Sequence, residues 1–229
     1  MNQKTKIVKL VADPYPPYQY QENDTVKGID HDIIVSTFKE HETDTEIQLF
    51  PWESCIELME NKKVDGIFQI AYTPEREKTF LFSRPFRTAR TVFLRNASTL
   101  LEFEKNVEIS LQLKTYRIGV LSGYSYDPTI DSLPESARTE VKGQEMLLEG
   151  LLRGRFDLAL MDSGVATYLI GKMNIGGIER VEGYEIKRQL HVAFQKDRYD
   201  LANLFNVGFE KIKEKGIYNE VFKDYGVVQ

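Results

Sequence analysis

One pattern occurs twice in the chain and constrains its fold more than any other feature. Residues 58–68 (LMENKKVDGIF) resemble residues 150–160 (GLLRGRFDLAL), with Asp65 matching Asp157 and Lys63 matching Arg155. Each copy reads as the end of a helix, a basic turn, an aspartate and a short apolar strand. Many α/β units share this pattern, so a chance match is the alternative. A true repeat predicts two similar lobes with equivalent strand ends at residues 69–71 and 161–162.

The order of the predicted elements indicates an α/β protein. Residues 7–12 (IVKLVA) read as a strand that ends at a rigid, proline-rich loop, residues 13–18. A helix with apolar residues at helical spacing begins at Gly28, and residues 46–50 read as the next strand. Strand, helix and strand with short connections favour a parallel sheet. Because ligands of open α/β sheets bind beyond the carboxyl ends of the strands, we expect ligand-binding residues there.

Further elements are predicted along the rest of the chain. They are a helix from Trp52, a strand at 67–71, an extended segment at 92–95, a strand at 116–121, a helix at 165–172, a strand at 189–195, and two C-terminal helices separated at Gly216. The polar, irregular stretch at residues 96–106 is expected to mark a boundary between lobes.

Composition and charge exclude several classes of protein. The 229 residues are 41% hydrophobic and 28% charged, with a net charge of −5, which is typical of a globular protein without general affinity for nucleic acid or anionic membranes. No apolar run approaches the roughly 18 residues of a membrane span, and the N-terminus lacks the apolar region of a signal peptide. A processed, mature protein would look the same. Cys55 is the single cysteine of the sequence, which excludes an intrachain disulfide.

Arg76 is the first candidate ligand-binding residue. Thr73 is a good helix N-cap and Pro74 suits the first helical position, so Arg76 falls in the first turn of a short helix. A guanidinium beside the N–H groups of a helix N-terminus would hold a carboxylate with two parallel hydrogen bonds. The alternative is a surface turn in which Arg76 only pairs with Glu75 or Glu77.

Asp162 is the second candidate. It stands at the end of a predicted strand and directly before a predicted helix. A carboxylate at that point either caps the helix or offers an anion to a cationic group of a ligand.

The sequence contains no recognisable catalytic or metal-binding signature. It has no Ser-His-Asp order, no Cys–His pair and no glycine-rich phosphate loop, and its three histidines are scattered. Asp30, His31 and Asp32 are adjacent on a helix and point in different directions, so a solvated helix start is expected there rather than a metal site. We therefore expect no catalytic residue, no metal and no cofactor.

The order of motifs resembles the bacterial type II periplasmic solute-binding proteins of ABC transporters, family 3, which include the polar amino acid binding proteins. The resemblance covers essentially the whole chain. The matching pieces are Tyr15-Pro16-Pro17-Tyr18, Gly28-Ile29-Asp30-His31-Asp32, Val64-Asp65-Gly66-Ile67, Thr73-Pro74-Glu75-Arg76, Phe82-Ser83-Arg84-Pro85-Phe86 and residues 157–162.

This resemblance implies the type II periplasmic binding protein fold. Two lobes are expected, residues 1–94 with 190–229 and residues 95–189, each a mixed, mainly parallel sheet flanked by helices, joined by two hinge strands. It implies an extracytoplasmic, periplasmic protein whose signal peptide has been removed. That protein would capture an amino acid or a similar small zwitterionic or carboxylate ligand by lobe closure, and as a monomer would deliver it to an ABC transporter permease.

The resemblance also suggests roles for individual residues. Arg76 matches the arginine that binds the ligand α-carboxylate, and Asp162 the aspartate that binds its α-ammonium group. Tyr15 and Trp52 match aromatic residues of the ligand pocket. Asp13 matches a position that in some members senses a basic ligand side chain, and Gln69 one that offers a backbone carbonyl.

The chain departs from the family pattern at two places. Ala71 stands where a serine or threonine hydroxyl usually binds the carboxylate, and Gly123-Tyr124 stands where Gly-Thr is usual, next to Ser125. The expected ligand-binding set includes these four residues as well, with Tyr124 filling part of the pocket.

Two other functions share the fold that the resemblance implies. One is an enzyme similar to cyclohexadienyl dehydratase, for which Asp13, Glu53 and Asp162 would be candidate acids or bases. The other is the ligand-binding sensor domain of a receptor kinase. The expectation from the sequence is a binding protein rather than an enzyme.

Overall fold

The computed structural model describes residues 7–101, 104 and 107–227. The chain divides into two compact units, which we call the first unit (Met1–Thr88 with Arg188–Gln229) and the second unit (Ala89–Lys187). Among the described residues, no helix is long and apolar enough to cross a membrane.

The first unit contains the chain's two ends. Its elements are β1 (Ile7–Ala12), β2 (Tyr20–Glu22), β3 (Thr25–Lys27), α1 (Ile29–Lys39), β4 (Asp44–Leu49), α2 (Trp52–Glu60), β5 (Gly66–Ala71), α3 (Pro74–Thr79), β6 (Phe80–Phe82), the start of β7 (Arg87–Asn96), α8 (Tyr199–Glu214) and α9 (Ile217–Asp224), with the end of β11 (Ile178–Gln195). Its strands lie in the order β4-β1-β5-β11, with β6 paired to β11. β1 is parallel to β4 and β5, whereas β11 is antiparallel to β5.

The second unit contains the middle of the chain. After β7 come α4 (Ile109–Leu113), β8 (Ile118–Leu121), α5 (Pro128–Asp131), a 3₁₀ turn (Glu135–Ala137), β9 (Arg138–Val141), α6 (Gln144–Leu152), β10 (Leu158–Asp162), α7 (Ser163–Lys172) and the first part of β11. The strand order is β7-β10-β8-β9. β8 is parallel to β9 and β10, and β10 is antiparallel to β7. The mixed, mainly parallel sheet expected for each lobe is therefore observed in both units.

The chain passes between the units inside two uninterrupted strands. The divisions fall at residues 88–89 in β7 and 187–188 in β11. The boundaries expected from the sequence, after residues 94 and 189, fall in the same strands but further along. Because a continuous strand crosses at each point, no turn signal marks the division, and the polar stretch after residue 96 does not coincide with it. Residues 102, 103, 105 and 106 of that stretch lie outside the described residues.

The internal repeat has the same local structure in both units. Asp65 N donates to Lys9 O at 2.8 Å and Asp65 Oδ2 accepts from Lys9 N at 2.9 Å, immediately before β5. Asp157 N and Arg117 O make the same 2.8 Å bond before β10, and Asp157 Oδ2 accepts from Arg117 N at 2.8 Å. Each aspartate thus fastens the start of its strand to the neighbouring parallel strand. The matching sequence pattern therefore corresponds to the same local structure in both units.

Asp30 differs from the expectation of a solvated helix start. Its side chain is fully buried and accepts two hydrogen bonds from Arg87, from Nε at 2.7 Å and Nη2 at 2.9 Å. The Arg87 guanidinium carbon lies 3.6 Å from the centroid of the Tyr18 ring. The expectation was wrong because Arg87 is distant in sequence and only the tertiary fold brings it over the start of α1.

Packing inside each unit depends on glycines at close approaches. In the first unit, a Cβ on Gly208 of α8 would lie 2.3 Å from the carbonyl oxygen of Thr37 on α1. In the second unit, a Cβ on Gly119 or Gly150 would lie 2.5 Å from the ring of Phe156. These contacts bring α8 directly onto α1 and place the Phe156 ring against both β8 and α6.

Candidate ligand-binding residues

Arg76 is held at the carboxyl end of β5 by the turn that starts α3. Thr73 Oγ1 accepts a hydrogen bond from Arg76 N at 3.1 Å and caps the helix, as the sequence predicted. The side chain turns back toward the strand, where Nη1 donates to the carbonyl oxygen of Ala71 at 3.0 Å. The guanidinium carbon lies 5.2 Å from the Trp52 ring centroid, within cation–π distance. Arg76, Ala71 and Trp52 therefore form one cluster within the first unit.

The glutamates on either side of Arg76 do not neutralise it. Glu75 pairs with Lys78 at 3.0 Å, and Glu77 accepts a hydrogen bond from the Tyr72 hydroxyl at 2.6 Å. Over the part of the chain that the structure describes, no carboxylate lies within ion-pair distance of Arg76. The alternative of a simple surface ion pair is therefore wrong.

The electrostatic surroundings of Arg76 are cationic. Burial lowers the pKa of Arg76 below its ordinary value, and the nearby charge of Arg188 lowers this pKa further. The charge of Arg188 disfavours the positive charge of Arg76, so an anion bound there would be stabilised by both arginines. Arg188 lies on β11, and sequence reasoning missed it because no local pattern relates it to Arg76.

Gln69 interrupts the ladder between β5 and β11. Phe68 is registered with Val192 and Ile70 with His191, which leaves Gln69 without a partner residue on β11. Its φ of +60° is unusual for a residue other than glycine. The strand therefore has a β-bulge at the residue that the resemblance associates with a backbone carbonyl, and bulges of this kind often occur beside functional sites.

The proline-rich loop after β1 is tightly hydrogen-bonded. Tyr15 N donates to Gln19 O at 2.7 Å, and Tyr18 N donates to Tyr15 O at 2.8 Å. The Tyr15 ring is 7% exposed and stacks on Tyr18, with ring centroids 6.1 Å apart. The loop is therefore held by internal hydrogen bonds, and Tyr15 packs within the protein in this structure.

Asp13 is the first residue of this loop and directly follows β1. Its carbonyl oxygen accepts a hydrogen bond from Gln19 Nε2 at 2.9 Å. Burial raises the pKa of the Cys55 thiol to about 12, and the charge of Asp13 adds to that increase. Gln19, whose side-chain amide joins Asp13 to Gln69, is a residue that no sequence signal identified.

In the second unit, residues 123–125 form the turn after β8. Gly123 has a φ of +76°, a backbone conformation that favours glycine. Tyr124 packs against the hydrophobic core of this unit, with its ring 6.4 Å from that of Tyr126. Ser125 Oγ donates to Asp131 Oδ2 at 2.7 Å. The bulky Tyr124 is thus accommodated by packing on its own unit.

Asp162 caps helix α7. The residue is 3% exposed, and its Oδ1 accepts hydrogen bonds from Gly164 N at 2.9 Å and Val165 N at 3.3 Å. The helix-capping role considered from the sequence is therefore confirmed. A capping carboxylate has further acceptor capacity, so the capping role is compatible with ligand binding.

Within the described ranges, no group of three His, Cys, Asp or Glu side chains is placed to hold a metal ion.

The candidate residues fall into two sets. Those of the first unit are Asp13, Tyr15, Trp52, Gln69, Ala71 and Arg76, and those of the second are Gly123, Tyr124, Ser125 and Asp162.

Comparisons with known proteins identify relatives over nearly the full chain. The arginine-binding extracellular protein ArtP of Bacillus subtilis (strain 168) is 24% identical over 227 residues, covering 97% of this chain and 86% of the relative. The arginine-binding periplasmic protein of Mannheimia haemolytica is 27% identical over 225 residues, covering 93% and 88%. Both relatives are named as binding proteins.

Solved structures share the fold at low sequence identity. An ancestral arginine-binding protein bound to arginine has a TM-score of 0.81 at 19% identity, covering 97% of this chain and 99% of that chain. A histidine kinase sensor domain similar to periplasmic binding proteins has a TM-score of 0.81 at 14% identity, with 96% of each chain covered. An ancestral amino acid-binding protein described as a precursor of cyclohexadienyl dehydratase has a TM-score of 0.76 at 21% identity, with 95% and 94% covered.

The profile of the bacterial extracellular solute-binding proteins, family 3, matches residues 7–228. This match spans all the strands and helices described above. The chain therefore belongs to the bacterial extracellular solute-binding proteins, family 3, and is a solute-binding protein with the two-lobed fold of the periplasmic amino-acid-binding proteins.

Proposed function

We propose that the ligand of this protein is an L-α-amino acid whose carboxylate binds Arg76. The observation that carries the proposal is the half-buried Arg76 guanidinium, which has no carboxylate partner among the described residues and lies near the charge of Arg188. A planar guanidinium fixed from one side by the Ala71 carbonyl can still offer donors to a carboxylate. The ligand would supply the missing anion.

The other candidate residues would complete the recognition of a zwitterion. Asp162 would accept the ligand α-ammonium group, with the backbone carbonyl of the bulged Gln69 as a second acceptor. Trp52 would contribute an aromatic wall beside Arg76. The turn at residues 123–125 would add polar groups from the second unit, with Tyr15 and Asp13 close to the ligand side chain.

The free energies expected from these interactions are compatible with micromolar binding. Each charge-assisted hydrogen bond contributes roughly 1.5–3 kcal/mol, and aromatic contact adds about 1 kcal/mol. A Kd of 1 μM corresponds to about −8.2 kcal/mol, so several such terms are needed together. Because Ala71 offers no hydroxyl to the carboxylate, Arg76 would carry a larger share of the carboxylate binding.

Arginine is the first ligand to test, followed by histidine and cystine. Relatives are named as arginine-, histidine- and L-cystine-binding proteins. Asp13 supplies a carboxylate suited to a cationic ligand side chain. A thermal-shift screen of the natural amino acids identifies the ligand, since a ligand present at about 100 times its Kd stabilises the folded state by about 2.7 kcal/mol. That corresponds to an increase in Tm of about 5–10 °C for a chain of this size.

Arg76→Ala tests the carboxylate assignment. We expect the affinity measured by calorimetry to fall at least about 100-fold, because the ligand carboxylate would be buried without its partner. Arg84→Ala is the matched control, since Arg84 is an exposed arginine of the same unit. Equal affinity in the two variants would refute the role of Arg76.

Asp162→Asn separates ligand binding from helix capping. Asparagine caps helices as well as aspartate does, so the substitution keeps the bonds to Gly164 N and Val165 N and removes the charge. We expect nearly unchanged Tm and a large loss of affinity. Asp127→Asn is the control, since Asp127 Oδ1 caps α5 through Ile130 N at 2.8 Å. Unchanged affinity in Asp162→Asn would leave Asp162 with a capping role alone.

We further propose that the protein acts outside the cytoplasmic membrane as a monomer, without nucleic acid, and delivers its ligand to an ABC transporter permease. The family name and a relative named as a putative ABC transporter arginine-binding protein support this proposal. Co-purification of the ligand-loaded protein with its permease in detergent, and a monomer mass by light scattering, are the expected results.

Catalysis is the second candidate function, because one structural neighbour is described as a precursor of cyclohexadienyl dehydratase. We propose that this chain is a binding protein and not an enzyme, as the names of its curated relatives suggest. Incubation with prephenate or arogenate, followed by detection of aromatic product, distinguishes the two functions. Product formation that Asp162→Asn abolishes would establish the enzyme instead.

A further inference from the structure

Gln19 occupies a fully buried position between two candidate ligand-binding residues. Its side chain is 0% exposed, and its Nε2 donates both to the Asp13 carbonyl oxygen at 2.9 Å and to Gln69 Oε1. Its own carbonyl oxygen accepts from Tyr15 N at 2.7 Å. One residue therefore contacts the segment after β1, the bulge in β5 and the proline-rich loop.

This amide bridges two strand ends at the point where their ladder stops. The register of β1 with β5 pairs Leu10 with Gly66 and Val11 with Ile67, and it extends no further. Asp13 and Gln69 both lie two residues beyond the last registered pair. The Gln19 amide thus connects the segments that follow the last paired residues of β1 and β5, where the two backbones are no longer paired.

The arrangement is not optimal for stability alone. Gln19 Oε1 is buried and has no hydrogen-bond partner in the part of the chain that the structure describes. A buried acceptor without a partner is destabilising. Gln69 also adopts a positive φ, which is strained for a residue with a side chain. Buried polar groups without partners and strained backbone conformations often occur at functional sites.

We infer that Gln19 is a positioning residue for ligand binding: its amide holds the bulge at Gln69 through the Gln69 side chain, and it holds the backbone at Asp13 directly. The inference rests on the proposed function, in which Gln69 and Asp13 face the ligand, and it adds a residue that need not touch the ligand itself. Gln19 would affect ligand affinity indirectly, through its hydrogen bonds to Asp13 and Gln69.

Gln195 provides a matched control in the same unit. Its Nε2 likewise makes two hydrogen bonds, in this case to the backbone carbonyl oxygens of Met59 at 2.8 Å and Val64 at 3.0 Å, and the residue is 9% exposed. Gln19→Met and Gln195→Met each replace a buried amide with an apolar side chain of similar length. We expect each to lower Tm by a similar amount, about 2–8 °C.

Amide hydrogen exchange in the unliganded protein is the first measurement. Gln19→Met is expected to speed exchange in the segments around Asp13 and Gln69, and Gln195→Met to leave both segments at wild-type rates. Unchanged exchange around Gln69 in Gln19→Met would overturn the inference, and this result does not depend on knowing the ligand.

Ligand affinity is the second measurement, made with the amino acid identified in the screen. We expect Gln19→Met to weaken binding about tenfold or more and Gln195→Met to change it less than about threefold. Gln69→Met removes one of the two bonds without altering Gln19, so it remains informative if Gln19→Met folds poorly. The double variant Gln19→Met/Gln69→Met should lose less affinity than the sum of the two single losses.

The outcomes separate the inference from the proposed function. Wild-type protein that binds no amino acid would contradict the proposed function and, with it, the role of Gln19 in ligand binding. Wild-type binding together with equal affinities in Gln19→Met and Gln195→Met would overturn the inference and leave the proposed function intact.

Discussion

Breaking the buried pair between Asp30 and Arg87 should strongly destabilise the first unit. Arg87 makes two hydrogen bonds to Asp30, of 2.7 and 2.9 Å, and the side chains are 4% and 0% exposed respectively. Arg87→Met would remove the guanidinium charge and its two hydrogen bonds from the buried Asp30 carboxylate, and breaking a buried ion pair typically destabilises a protein by about 3–5 kcal/mol. Loss of the guanidinium from the face of Tyr18 is part of the same change. Taking about 4 kcal/mol, we expect Tm to fall by about 8–16 °C.

The measurement is thermal unfolding followed by tryptophan fluorescence. Trp52 is the single tryptophan of the sequence and lies in the first unit, as the pair does, so the signal reports on the affected unit. Lys215→Met is the control. Lys215 Nζ also makes two short contacts with one carboxylate, Glu40, at 2.7 and 2.8 Å, but its side chain is 57% exposed. We expect the control to shift Tm by no more than about 2 °C.

The double variant Asp30→Leu/Arg87→Met completes the test. Replacing a buried ion pair with apolar residues is often neutral or stabilising, so the double variant should recover most of the stability that Arg87→Met loses. If Arg87→Met shifts Tm as little as Lys215→Met does, or if the double variant is less stable than Arg87→Met, the reasoning from an unpaired buried charge is refuted.

Three further predictions concern pH, reactivity and packing. Burial lowers the pKa of His191 below 6.5. As the pH falls, His191 therefore takes up a proton more readily in the unfolded chain than in the folded protein. The free energy of unfolding should decrease as the pH drops below about 6.5, and His191→Asn should flatten the dependence of Tm on pH. Cys55, buried with a pKa raised to about 12, should react with a thiol reagent only after unfolding, and rapid labelling of the native protein would contradict this. Gly208→Ala should lower Tm by several degrees, because the new Cβ would lie 2.3 Å from Thr37 O. Gly171→Ala is the control and should leave Tm unchanged or raise it, because Gly171 also lies in a helix and a Cβ there would have nothing within 4 Å.

Local sequence signals located most of the elements that carry the site. The strands β1 and β5 and the helices α1 and α2 follow the predicted apolar patterns, with bounds that differ by at most two residues where both ends were predicted. Thr73 caps α3 and Asp162 caps α7, as capping preferences indicated. The β2–β3 hairpin, the short strands β6 and β9 and the first half of β11 were not predicted, because segments this short or this polar lack a distinctive period.

The sequence by itself determined the order of the longer apolar strands and helices, the repeated aspartates Asp65 and Asp157, and the place of Arg76 in a capped turn. These features depend on residues a few positions apart, whose preferences the local sequence specifies. Only the tertiary structure decided that Asp30 is buried against Arg87, that Gln19 joins Asp13 to Gln69, and that the units divide inside continuous strands. The two contacts bring together residues that are distant along the chain or separated by a loop. Contacts at such distances depend on the packing of the whole unit and not on any local pattern.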